Sequence, residues 1–287
     1  MSRDIQKEIT DKIIKELEKG VNPWVCPWDR SSDSALPYNF KTSNSYSGMN
    51  IFILWLRAKE AGYSRNSWLT YNQAKELGGQ VRKGEKSTMG IFYKNVETKD
   101  SKTKAVEEKE FYPMAKAFYV FNVEQIDGLE LEQLFEPKEF NPIENAENLL
   151  IDSGVMINHG GTRAFYRPLA DFIQLPDKER FSCSEDYYAT ALHELVHSTG
   201  NKQKLDRDMS NEFGSPEYAF EELIAEMGSA FLGAELGLVG NVQHTSYIES
   251  WLKALKGDKK FIFKAATQAS KVFEFILNQS QENKEVA

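Results

Sequence analysis

Apolar residues recur at helical spacing from the start of the chain. Ile5, Ile9, Ile13 and Leu17 mark one buried stripe, and Gly20 follows as a C-cap. An irregular stretch with Pro23, Pro27 and Pro37 comes next, then a second apolar helix from about Asn50 to Ala61. A third helix opens at Thr70, where Thr70 and Gln73 form a capping-box pattern, and stops at Gly78-Gly79. Past Lys83-Gly84 the pattern predicts strands at 87–97 and 107–123, with the polar run Thr98 to Lys104 as a hairpin tip. A helix is expected near 143–152, followed by β-like segments at Val155–Asn158, Arg163–Tyr166 and Phe172–Leu175. Four helical patterns close the chain, near 185–199, 216–236, 245–256 and 259–279. The expectation is an α+β protein of two domains. Residues 1–125 form a small mixed helix and hairpin unit. Residues 126–142 are an acidic, proline-containing linker, and 143–287 are a small sheet followed by helices.

The charge pattern divides the chain in the same way. Net charge over 287 residues is -8, which taken whole argues against a nucleic-acid binder. Yet residues 1–104 carry 18 Lys+Arg against 12 Asp+Glu, a net of +6, and the remainder nets -14. Such a split suggests two units with different partners. Two cysteines, Cys26 and Cys183, exclude a disulfide scaffold and suit a reducing compartment. The N-terminus has no apolar h-region, and the longest apolar run, Ile51 to Leu56, is too short to span a bilayer. A soluble cytoplasmic protein with no membrane partner is expected.

The sharpest chemical signal is His193-Glu194-Leu195-Val196-His197. Histidines at i and i+4 project from one helix face, so both imidazoles can reach one metal ion. Glu194 is placed to take a proton from the water such a metal activates, as general base. Tyr188, Ala191, Leu192, Leu195 and Val196 give this helix a buried face, and Gly200 ends it. The three-histidine variant of the motif fails, because its last position is Gln203.

A third ligand must therefore come from elsewhere. Ser215 suits an N-cap and Pro216 the first helical turn, so a helix begins just before Glu222. Glu222 and Glu226 share one face at i,i+4 among apolar residues, where unpaired carboxylates would be costly. Glu222 is assigned as third ligand, and Glu226 as acceptor of a hydrogen bond from a ligand histidine; the reverse assignment is the alternative. Glu221, about 100° off that face, is expected in solvent. Tyr218, one turn before Glu222, is a candidate to steady an oxyanion, as are Tyr187 and Tyr188, although core packing suits all three tyrosines. His159 is read as a loop residue and His244 as a surface residue at a helix entry. Zinc suits a His/His/Glu set, and Mn2+ or another divalent ion is compatible.

Aromatic residues crowd the basic unit: Trp24, Trp28, Tyr38, Phe40, Tyr46, Trp55, Tyr63, Trp68 and Tyr71, interleaved with Lys41, Arg57, Lys59, Arg65 and Lys75. Exposed rings among cations suit single-stranded nucleic acid, because bases stack on the rings and cations follow the phosphates. Aromatics also dominate ordinary cores, and composition alone favours that reading.

The order of motifs resembles the ArdC family of antirestriction proteins. In the first unit the resembling residues are Gly20-Val21-Asn22-Pro23-Trp24 with Pro27-Trp28, Pro37-Tyr38-Asn39, Tyr46-Ser47-Gly48-Met49-Asn50, Trp68 to Ala74 and Leu77 to Glu85. In the second they run from Tyr187 to Gly200 and from Tyr218 to Glu226. The resemblance implies a single-stranded-DNA-binding N-terminal domain, a zincin-like metallopeptidase domain behind it, and a role on mobile elements such as plasmids in shielding DNA from restriction. With it, Trp24, Trp28, Lys41, Tyr46, Arg65, Trp68, Arg82, Lys83 and Lys86 become the candidate DNA-binding residues. Host restriction enzymes or a protein substrate are further candidate partners. Two other readings stay open: a plain intracellular metalloprotease with a protein-binding N-terminal unit, and a non-catalytic DNA-binding decoy.

Overall fold

Asp4 caps the first helix, α1 (Ile5–Glu18), by accepting a hydrogen bond from the Lys7 amide. The helix buries Ile9, Ile13 and Leu17, the stripe read from the sequence, and Gly20 follows with a positive φ of 73°. The coordinates are a computed structural model, which describes residues 4–20, 24, 36–97, 111–131, 142–209, 215–238 and 248–286.

A short strand, β1 (Tyr38–Asn39), precedes α2 (Met49–Ala61), which ends on Gly62 in the left-handed region. Next come β2 (Ser67–Leu69) and α3 (Tyr71–Glu76), whose Thr70/Gln73 capping box forms as the sequence predicts. After β3 (Gln80–Val81), the chain runs into the long hairpin of β4 (Thr88–Glu97) and β5 (Phe111–Asn122). The expected tip, 98–104, lies outside the described residues. The first sheet has the order β1-β2-β5-β4. Edge strand β4 is covered at Ile91, whose amide and carbonyl both bond to the side chain of Asn50 on α2. The start of the acidic segment is itself structured, since β6 (Ile126–Asp127) pairs with β3.

The second half opens with α4 (Pro142–Asp152). Strands β7 (Met156–His159), β8 (Phe165–Arg167) and β9 (Phe172–Leu175) form a sheet of order β7-β9-β8, parallel then antiparallel. Helices α5 (Ser184–Ser198), α6 (Pro216–Glu235), α7 (Ile248–Gly257) and α8 (Phe261–Val286) follow. The architecture is the expected α+β one. No described helix is long and apolar enough to cross a membrane.

The two halves share one hydrophobic core. Phe52 of α2 stacks on Phe231 of α6 with ring centroids 4.9 Å apart, and Trp24 meets Trp251 of α7 edge-on at 5.2 Å. Polar links cross as well: Thr10 donates to the Lys259 carbonyl, and the Gly48 amide donates to Ser270 Oγ. The helices carrying the site thus sit against the N-terminal unit.

Helix α6 approaches α5 closely at one point. A Cβ built on Gly228 would lie 3.0 Å from Val196 Cγ2. Val196 is fully buried and β-branched, so it cannot turn aside. Gly228→Val is expected to destabilise the protein by about 1–3 kcal/mol, seen as a lower midpoint in urea unfolding. An unchanged midpoint would mean that α5 and α6 separate freely.

Candidate metal centre

Helix α5 carries Glu185 and Asp186 in its first turn, which complement the helix dipole, and it packs Tyr187, Tyr188, Ala191, Leu192, Leu195 and Val196 inward. His193, Glu194 and His197 are also buried, one to two turns further on. Helix α6 begins as the sequence predicts, with Ser215 accepting from the Tyr218 amide and Pro216 in the first turn. It lies alongside α5 and brings its glutamates to the two histidines.

Three donor atoms converge. The two Nε2 atoms of His193 and His197 are 3.2 Å apart. Glu222 places one carboxylate oxygen 3.6 Å from the first and the other 3.7 Å from the second. Ligand atoms around a tetrahedral cation with bonds of ~2.0–2.2 Å lie roughly 3.3–3.6 Å apart, so the set fits one divalent ion. His193, His197 and Glu222 are the grouping of potential metal ligands found among the described residues.

Glu221 corrects the sequence expectation. It was expected in solvent, yet it is 7% exposed and accepts from His197 Nδ1 at 3.1 Å. Arg207 grips the same carboxylate with two bonds, Nε at 2.9 Å and Nη2 at 2.7 Å, and also donates to Thr199 Oγ1 and the Val196 carbonyl. The physical reason lies in the packing. The segment after α5 folds back and brings the buried Arg207 guanidinium onto this side of α6, so a step of about 100° from Glu222 meets a charge partner rather than solvent. Because a carboxylate only accepts, His197 carries a proton on Nδ1 and directs Nε2 into the site. Glu226, the residue expected in that supporting role, is buried 3.9 Å from His193 Nδ1, beyond hydrogen-bond length.

The electrostatics favour a cation. Burial lowers the His197 pKa, but the bond to Glu221 and the charges of Glu221, Glu194 and Glu222 outweigh it and push it up to about 9. Burial raises Glu222, but the His193 bond, the charges of both histidines and the Tyr218 hydroxyl hold it down at about 2. Four carboxylates, those of Glu194, Glu221, Glu222 and Glu226, are buried here. The site opens into a cavity of about 510 Å³ lined by Glu194, Tyr218, Arg163, Tyr166 and Met209 among others. The expected strand at Arg163–Tyr166 is β8, shifted to Phe165–Arg167, and it flanks this cavity.

The other candidates divide. Tyr187 and Tyr188 are core residues, and the Tyr187 hydroxyl meets His159 Nε2 at 2.9 Å, so His159 ends β7 with a partner. His244 and Trp28 lie outside the described residues. Trp24 at 2% exposure and Trp68 at 0% have no ring face to offer a base; both are core side chains, contrary to the expectation for them. Lys41 is ion-paired with Glu76, and Arg82 with Glu85 and Asp127. Arg65 is half-buried at a backbone bonded to Glu124. Tyr46 is half-buried against Phe118. Lys83 and Lys86 are exposed and make no ion pair among the described residues.

Comparison with known proteins agrees with this layout. Residues 3–121 match the family described as the N-terminal domain of anti-restriction factor ArdC, and residues 144–268 match a zincin-like metallopeptidase family. The metal-free crystal structure of the antirestriction protein ArdC from plasmid R388 is 38% identical, with a TM-score of 0.84 over 98% of this chain and 99% of that one. The chain belongs to the ArdC family of antirestriction proteins. Its likeness to ArdC extends to the Mn(II)-bound R388 structure, with a TM-score of 0.80 over 97% and 98% of the two chains. An uncharacterized protein of Sinorhizobium fredii, y4eC, is 36% identical over 97% of this chain and 93% of its own. Two DNA primases TraC of Escherichia coli are 41% and 40% identical over 94% and 96% of this chain. The chain spans only 19% and 27% of those primases. This ArdC relative thus carries the zincin-like domain of its family together with a His-His-Glu site.

Proposed function

We propose that the chain binds single-stranded DNA through residues 1–125, shields it from restriction, and uses residues 143–287 as a metal-dependent peptidase. The convergence of His193, His197 and Glu222 beside Glu194 carries this reading. The net charge of +6 over residues 1–104 supports the DNA-binding part.

His193 and His197 would hold the metal through Nε2, and Glu222 through its carboxylate. Zinc and manganese both suit that donor set, and the R388 protein binds Mn(II). A divalent ion there supplies Lewis acidity to a carbonyl and acidifies a water molecule. The protein does the rest. The Glu194 carboxylate takes the proton of the attacking water and returns it to the leaving amine. Tyr218 steadies Glu222 through its hydroxyl and faces the cavity where the oxyanion develops. Strand β8 lies at the edge of its sheet, so an extended peptide can pair with its main chain.

Two measurements on the wild-type protein test the two halves. Metal analysis is expected to give one divalent ion per chain. Oligonucleotide binding is expected to weaken with salt, log K falling by roughly 0.7 per phosphate contact against log salt. A chain with neither property would refute the proposal. Metal and peptide hydrolysis without DNA binding would leave a plain metalloprotease.

A further inference from the structure

Trp24 and Trp68, expected to stack bases, are core residues, yet the hairpin carries a different set of rings. Tyr46 lies parallel to Phe118, with centroids 6.0 Å apart and planes 7° apart. Phe92 continues the row at 6.4 Å from Phe118. The strand register explains why they meet: Gly90 pairs with Phe118 and Phe92 pairs with Lys116, so these four residues share one face of β4 and β5. A Cβ on Gly90 would lie 2.3 Å from the tip of the Phe118 ring. The glycine therefore lets the half-buried ring lie across the neighbouring strand. Phe92 is 45% exposed, so part of its ring is open to a partner.

We infer that Tyr46, Phe118 and Phe92 form the base-stacking platform for single-stranded DNA, with Lys116 on the adjacent phosphate. This rests on the DNA-binding reading above and names its site. Charge identifies the occupant. Lys116, directly across from Phe92, is exposed and makes no ion pair among the described residues; the same holds for Lys83 and Lys86 at the foot of β4. Protein interfaces are depleted in lysine, whereas stacking rings bordered by free lysines suit a polyanion of flat bases. The chain reads no sequence in this mode, because every base has a π-face.

Fluorescence anisotropy of labelled oligo(dT), titrated with the full chain, tests the platform. Phe92→Ala, at an exposed position, is expected to weaken binding roughly ten-fold, and Phe92→Trp to preserve it. An abasic oligonucleotide of the same length is expected to lose the difference between wild type and Phe92→Ala. Lys116→Ala is expected to lower the salt slope by about 0.7, the signature of one phosphate contact on a single strand. Wild-type binding that is unchanged in both Phe92→Ala and Phe118→Leu overturns the platform while sparing the DNA-binding reading. Absence of wild-type binding overturns both. Failure of Phe92→Ala to discriminate between oligo(dT) and the abasic strand also refutes stacking.

Discussion

Glu194→Gln is expected to lower peptide hydrolysis by about 10²–10⁴-fold while leaving metal content unchanged. The carboxylate lines the cavity beside His193 and His197 but is not one of the three converging donors, so the metal keeps its ligands. Glutamine has nearly the same shape and cannot take a proton, so the loss isolates the general-base role. Hydrolysis by the variant at the wild-type rate would remove Glu194 from the chemistry. Protection of DNA from restriction should be measured on the same variant. Full protection with no hydrolysis would make the peptidase site separable from antirestriction and favour the decoy reading.

Arg207→Met is expected to cost about 3–5 kcal/mol, because it strands the Glu221 carboxylate in a buried position. The variant also removes donors from Thr199 Oγ1 and the Val196 carbonyl, at the C-terminal end of α5. Metal affinity should fall by about 10–100-fold, since Arg207 no longer anchors the Glu221 carboxylate that holds the His197 ring. The pair Arg207→Met with Glu221→Met separates the two effects. It removes the stranded charge and should recover much of the stability, but not the affinity. Urea unfolding without metal and competition against a chelator measure each part. Equal recovery of both would mean that Glu221 acts only in folding.

What was legible in the sequence was local. The capping box at Thr70 and Gln73, the two histidines one turn apart and the start of α6 at Ser215-Pro216 depend on contacts within four residues. Glu222 was legible because i,i+4 carboxylates on an apolar helix face need a reason to be there. Glu221 was not, because its reason is Arg207, fourteen positions earlier in an irregular segment with no periodicity to betray it. The burial of Trp24 and Trp68 is not legible for a related reason: composition counts rings without saying which side of a fold they face. Phe92 and Phe118 are not legible as a pair, because their meaning lies in the register of two strands, with Gly90 beneath one ring. Strands β1, β2, β3 and β6 have two or three residues each, too few for an alternation to show.

The claim on which the rest depends is that His193, His197 and Glu222 hold one metal ion. Anomalous diffraction from a crystal grown with Mn(II) tests it most directly. The expected result is a single peak about 2.0–2.3 Å from both Nε2 atoms and a Glu222 oxygen, with Glu221 on His197 Nδ1 and Glu226 outside the coordination sphere. A peak coordinated by Glu226 with Glu222 turned away, or no peak between the two histidines, would contradict it.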